Sequence, residues 1–97
     1  MNQSSKASFY DTAGAPLELK LYMFPSCPFC QKVLRAADRL GMNLPLADIH
    51  EDPVARDTLK SVGGRTTVPC LFINGQPLYE SDDIVAYLRD KVRTKPA

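Results

Sequence analysis

Leu17-Glu18-Leu19-Lys20-Leu21-Tyr22-Met23-Phe24 runs through Pro25-Ser26 into Cys27-Pro28-Phe29-Cys30-Gln31-Lys32-Val33-Leu34, and this stretch decides the fold. Leu17, Leu19, Leu21 and Met23 alternate along one side, while Tyr22 and Phe24 make the other side partly apolar. That pattern predicts a central strand covered on both faces. Pro28 suits the first turn of a helix, where its missing N–H costs nothing. Two thiols separated by two residues can close a small disulfide across that first turn. The first of them, Cys27, then lies among unpaired backbone N–H groups and the positive end of the helix dipole, which stabilise a thiolate. Reversible thiol–disulfide exchange is the chemistry implied. A structural disulfide or half of a zinc site are the alternatives. Zinc needs about four ligands, and beyond this pair the chain offers only Cys70 and His50.

Outward from the motif, Val33, Leu34, Ala37 and Leu40 form an apolar stripe at helical spacing, and Gly41 is a C-terminal stop. Leu44 to Ile49 reads as a second strand, so strand–helix–strand implies a parallel pair. Asp52-Pro53 starts another helix, with Asp52 as cap. Its apolar residues are Val54, Leu59 and Val62, and Gly63-Gly64 ends it. Cys70-Leu71-Phe72-Ile73 is a buried-type strand, followed by a two-residue hairpin at Asn74-Gly75. Gln76 to Glu80 returns as an edge strand, where Pro77 is tolerated. Ser81 is then expected to cap a last helix with Asp82 and Asp83 in its first turn and Ile84, Val85, Leu88 and Val92 on its apolar face. The order is βαβαββα, an α/β domain of the thioredoxin-like class with a four-stranded mixed sheet flanked by helices. The expected divisions are a flexible arm over 1–16, with room for a short pairing around Phe9 and Tyr10, the domain over 17–93 and a tail over 94–97.

The 97 residues suffice for one compact domain. Hydrophobic residues at 44% and charged residues at 24% are ordinary for a globular protein. A net charge of +1 gives no reason to expect nucleic acid or anionic membrane as a partner. No stretch approaches the roughly 18 apolar residues of a transmembrane helix. Met1 to Pro16 lacks an apolar signal core, and three cysteines is an odd number. Both features lead us to expect a cytoplasmic protein with reduced thiols and no metal.

Cys27-Pro28-Phe29-Cys30, Gly63-Gly64-Arg65-Thr66-Thr67-Val68-Pro69, the Asn74-Gly75 hairpin and Ser81-Asp82-Asp83 together resemble the glutaredoxins, over about Leu19 to Val92. Tyr79 to Leu88 also looks like the glutathione-binding end of glutathione transferase N-terminal domains. The resemblance implies a glutathione-dependent oxidoreductase that reduces mixed and protein disulfides, with glutathione as co-substrate. Its partners would be disulfide-containing or glutathionylated proteins, and the state expected is a monomer. It implies Cys27 as nucleophile, Cys30 as resolving thiol and a cis bond at Val68-Pro69 aimed at the cysteinyl part of glutathione. Ser81 and Asp82 would meet the γ-glutamyl end, and Arg56 would face the glycyl carboxylate.

The chain departs from that family at three places. Phe24 stands where many glutaredoxins carry a lysine, Arg65 lies one place earlier than their arginine, and Phe29 replaces a frequent tyrosine. A glutathione-binding module with little turnover and an iron–sulfur carrier are the competing functions, and Cys30 and Pro28 count against the second. Cys70, at the head of an apolar strand, is expected to be an inert buried thiol, and His50 a loop residue. Tyr79 and Tyr87 are expected to pack.

Overall fold

The computed structural model describes residues 9–95, and the part of the expected arm over 1–8 lies outside them. Four strands form the central sheet: β3 (Leu19–Met23), β4 (Leu46–Asp48), β5 (Cys70–Ile73) and β6 (Gln76–Tyr79). Their order is β4-β3-β5-β6, with β3 parallel to β4 and the other neighbours antiparallel. Helices α1 (Pro28–Arg39), α2 (Pro53–Gly63) and α3 (Ser81–Lys91) complete the βαβαββα order. The fold is thioredoxin-like, as expected, with α1 and α3 packed together on one face and α2 against the other.

Two cores follow from the alternation in β3. Leu19, Leu21 and Met23 pack with Cys30, Val33, Ala37, Leu71, Ile84 and Leu88 on the α1/α3 face. Tyr22 points the opposite way and packs with Ala55, Leu59, Cys70 and Phe72 under α2. Its ring centroid is 4.4 Å from that of Phe72.

At Asn74 and Gly75, φ is 49° and 84°, the left-handed pair that joins β5 to β6 in a two-residue turn. The Asn74 side chain also accepts the Glu18 N–H at 2.8 Å, tying the hairpin to the start of β3.

Four expectations need correction. The arm expected over 1–16 has the short pairing at Phe9 and Tyr10 but is not flexible from Phe9 onward: β1 (Phe9–Tyr10) pairs antiparallel with β2 (Pro16–Leu17), and Tyr10 bridges Arg93. Phe9 is buried in the α1/α3 core, so packing holds a segment that carries no period of its own. On α2, Val54 is 71% exposed and Val62 is exposed too, whereas Ala55 and Leu59 are buried. Residues four apart share a helix face, and the small Ala55 lets the helix approach the sheet closely. On α1, Cys30 and Ala36 join the buried face and Leu40 is exposed. Finally, Ser81 is the first helical residue of α3 rather than its cap. Glu80 takes the cap position with φ 75° and no capping bond from its side chain, because the chain turns out of β6 one residue earlier.

Candidate active site

Cys27 occupies the cap position of α1 in extended backbone, and its Sγ accepts the Cys30 N–H at 3.4 Å. A sulfur in that place takes the role usually played by a serine or aspartate oxygen and satisfies an end-of-helix donor. The same N–H and the positive end of the helix dipole face that sulfur. The turn before the helix is fixed as well, with the Cys27 N–H bound to the Phe24 carbonyl at 3.2 Å and the Gln31 amide bound to the Pro25 carbonyl at 2.7 Å.

The two thiols differ in burial less than their order suggests, Cys27 being 6% exposed and Cys30 fully buried. Burial pushes the Cys30 thiol up to about 12; a backbone hydrogen bond at Phe24 opposes this and the Cys27 sulfur adds to it. Cys30 is therefore held as a neutral thiol behind the helix start. No disulfide joins Cys27, Cys30 or Cys70 in the structure. Cys70 packs in the α2-side core, across the sheet from Cys27 and Cys30, so it is no third member of the pair. Burial raises its thiol to about 11.

Beside the dithiol turn lies an open cleft of about 550 Å³. Val68, Pro69, Ser81 and Asp82 all line it, together with Phe29 and Thr67. The Val68-Pro69 peptide bond is cis. The fold brings these together because Pro69 immediately precedes β5 and Ser81 immediately follows the turn out of β6, so the hairpin returns the chain to the same end of the sheet.

Arg56 is not on this cleft. It lies in a second one, of about 570 Å³, with Pro53, Asp57, Lys60, Arg65 and Thr66. The two clefts meet along the chain at Thr66-Thr67. The Arg65 guanidinium sits 4.0 Å from the centroid of the Tyr79 ring, and the Tyr79 hydroxyl donates to the Arg65 carbonyl at 3.1 Å.

Two site features are absent from the sequence-based expectations. Lys32 lines the first cleft and forms an ion pair with Asp82 across the α1/α3 boundary. The signal was available in part, since Phe29 and Lys32 are three apart and share a helix face. Glu80, also on the cleft, holds φ 75°, a conformation disfavoured for a residue with a side chain. Phe24, at the position of the missing lysine, stacks on exposed His50 with ring centroids 4.1 Å apart and planes within 11°. Among the described residues, no group of three or more His, Cys, Asp or Glu is placed to hold a metal ion, and no helix is long and apolar enough to cross a membrane.

The glutaredoxin family model matches residues 19–78. Glutaredoxin 3 of Escherichia coli K12 is 28% identical over 68 residues, covering 70% of this chain and 82% of that protein. The solution structure of a glutaredoxin from Brucella melitensis is similar with a TM-score of 0.58 at 25% identity, covering 86% of this chain and 83% of the other. A glutathione S-transferase 1-6 from Anopheles dirus is similar with a TM-score of 0.60 at 38% identity, over 71% of this chain and 34% of the transferase. The chain spans only 28% and 23% of the length of two longer curated relatives. The family match covers the dithiol turn, the cis proline and the hairpin, and on that ground this chain belongs to the glutaredoxin family.

Proposed function

We propose that this protein is a glutathione-dependent thiol–disulfide oxidoreductase that reduces glutathionylated proteins and protein disulfides in the cytoplasm, acting as a monomer. One observation carries this reading: Phe29, between the two cysteines at the start of α1, lines a cleft that Val68-Pro69 and the start of α3 also wall.

The Cys27 thiolate attacks the glutathionyl sulfur of a mixed disulfide. That sulfur–sulfur bond breaks, the protein thiolate leaves and takes up a proton, and Cys27 carries glutathione as a disulfide. The thiolate of a second glutathione attacks the glutathionyl sulfur, releasing the Cys27 thiolate and oxidised glutathione. With a protein disulfide, Cys27 forms the mixed disulfide first and Cys30 then attacks Cys27, losing its proton as the protein thiol leaves.

Glutathione fits the cleft in an extended pose. The Val68 backbone pairs with its cysteinyl part as in strand addition. Ser81 and Asp82, at the uncapped start of α3, offer backbone N–H groups to the γ-glutamyl carboxylate, while the Asp82 carboxylate meets the ammonium. Arg56, in the adjoining cleft beyond Thr66-Thr67, reaches the glycyl carboxylate only if the tripeptide crosses that boundary.

The Anopheles transferase similarity favours a second reading, a glutathione-binding module with little turnover. A glutathione-coupled reduction assay on a small mixed disulfide, repeated with thioredoxin reductase in place of glutathione, separates the two. Turnover with glutathione is expected; binding without turnover would favour the module, and activity only with the reductase would remove glutathione from the mechanism. Asp82→Ala is expected to raise KM for a glutathionylated substrate several-fold, by roughly one lost charge-assisted contact, with kcat little changed because the contact is remote from the sulfurs.

A further inference from the structure

Among the described residues, the cleft beside the dithiol carries three acidic residues, Glu80, Asp82 and Asp83, and a single cation, Lys32. Lys32 comes from α1 and Asp82 from the first turn of α3, so their ion pair crosses from one helix to the other at the cleft wall. The side chains are 50% and 81% exposed. Exposed ion pairs add little to stability and exchange partners readily. Stability is therefore a poor reason for the cleft's Lys32 to face Asp82, and a weak, breakable pair suits a ligand-exchange role.

We infer that Lys32 is a specificity-determining residue that Asp82 holds in the free protein and passes to the ligand. This rests on the glutathione reading above. The γ-glutamyl end of that tripeptide is a zwitterion, with an ammonium and a carboxylate on the same carbon. When the ammonium takes Asp82, Lys32 is released, and its flexible stem places a cation within reach of the carboxylate alongside the N–H groups of α3. Two ion pairs then replace one without leaving a charge unmatched. A ligand lacking the ammonium leaves Asp82 holding Lys32, so its carboxylate loses that partner too. The cleft thereby discriminates for a free γ-glutamyl terminus over an acylated one by more than a single contact.

The test is steady-state kinetics of the full chain on a glutathionylated peptide and on the same peptide carrying N-acetylglutathione, with wild type, Lys32→Met, Lys32→Arg and Asp82→Asn. Lys32→Met is expected to raise KM for the glutathionylated peptide about fivefold, the scale of one exposed charged contact, with kcat unchanged. On the acetylated substrate the same substitution is expected to change KM less than about 1.5-fold, since Lys32 is still held by Asp82 there. Lys32→Arg should restore wild-type KM, and Asp82→Asn should lose most of the penalty for acetylation. If Asp82–Lys32 is only a structural pair that competes with the ligand, Lys32→Met frees Asp82 and KM falls or stays the same, which overturns the inference. An equal loss on both substrates overturns it as well, because Lys32 would then act independently of the ammonium. A wild type that does not prefer the glutathionylated peptide over a cysteamine mixed disulfide fails the glutathione reading itself, a result distinct from either.

Discussion

At the residue scale, the helix start gives the two cysteines of one tetrapeptide different surroundings, and this supports the proposed division into nucleophile and resolving thiol. Cys27 caps α1 and receives an N–H, whereas Cys30 is fully buried with its thiol pushed up to about 12. Cys27→Ser is expected to abolish reduction of all disulfides. Cys30→Ser should keep deglutathionylation within a few-fold of wild type and lose reduction of intramolecular protein disulfides; coupled assays on the two substrate types check this, and equal losses would reverse the assignment. Burial also makes stability depend on alkaline pH. Cys30 and Cys70 are raised from an ordinary 9.0 to about 12 and about 11, so above pH 9 the unfolded chain loses these protons before the folded one does. Their contribution is thus intact below about pH 9 and lost as pH rises through 11 to 12. Denaturant unfolding of the reduced protein from pH 8 upward should show falling stability, and Cys70→Ala should flatten the fall. Cys70 was expected to be an inert buried thiol and is buried; that it takes the sheet face opposite the pair was not legible, because a strand's side chains choose a sheet face only when its register is set.

At the element scale, caps and turns were the most legible features. Asp52 accepts the Val54 N–H at 3.0 Å, and α2 begins at Pro53 as the Asp-Pro signal requires. Strand β5 and the turn after it also lie where the sequence puts them. Helix faces were less legible: Val54 is more hydrophobic than Ala55, yet only the smaller residue faces the sheet. Close approach is also the reason for Gly63 at the end of α2. A Cβ there would run into the Tyr79 hydroxyl, which is engaged with the Arg65 carbonyl under the Arg65 guanidinium. Gly63→Ala is expected to destabilise the protein by about 1 kcal/mol, overpacking exceeding the gain in helix propensity. Chemical denaturation measures this, and Gly63→Ala/Tyr79→Phe should recover part of the loss because it removes the obstructing hydroxyl. A stabilised single variant would contradict the assigned contact.

At the scale of the whole molecule, the chain beginning at Phe9 closes the α1/α3 core. Strand β1 pairs with β2, Tyr10 bonds Arg93 in both directions at 2.8 and 2.7 Å, and Phe9 is only 4% exposed. Phe9→Ala is expected to cost about 3 kcal/mol, the usual scale for emptying a buried phenylalanine site. Thermal or denaturant unfolding tests the value. A negligible effect of Phe9→Ala would mean that the hairpin contributes nothing to the core.

The sequence by itself determined the βαβαββα order, the dithiol at a helix start and the family, because each is written in local signals: alternation, helical period, caps, a two-residue turn and a contiguous motif. It also named Val68, Pro69, Ser81 and Asp82, which the fold gathers on one cleft. Only the tertiary structure decided that Arg56 lies in a neighbouring cleft and that Lys32 reaches Asp82, 50 residues away in sequence. It alone placed Phe9 in the core and His50 against Phe24. Each of these depends on how two distant elements are set against one another, and no local pattern of residues encodes that geometry.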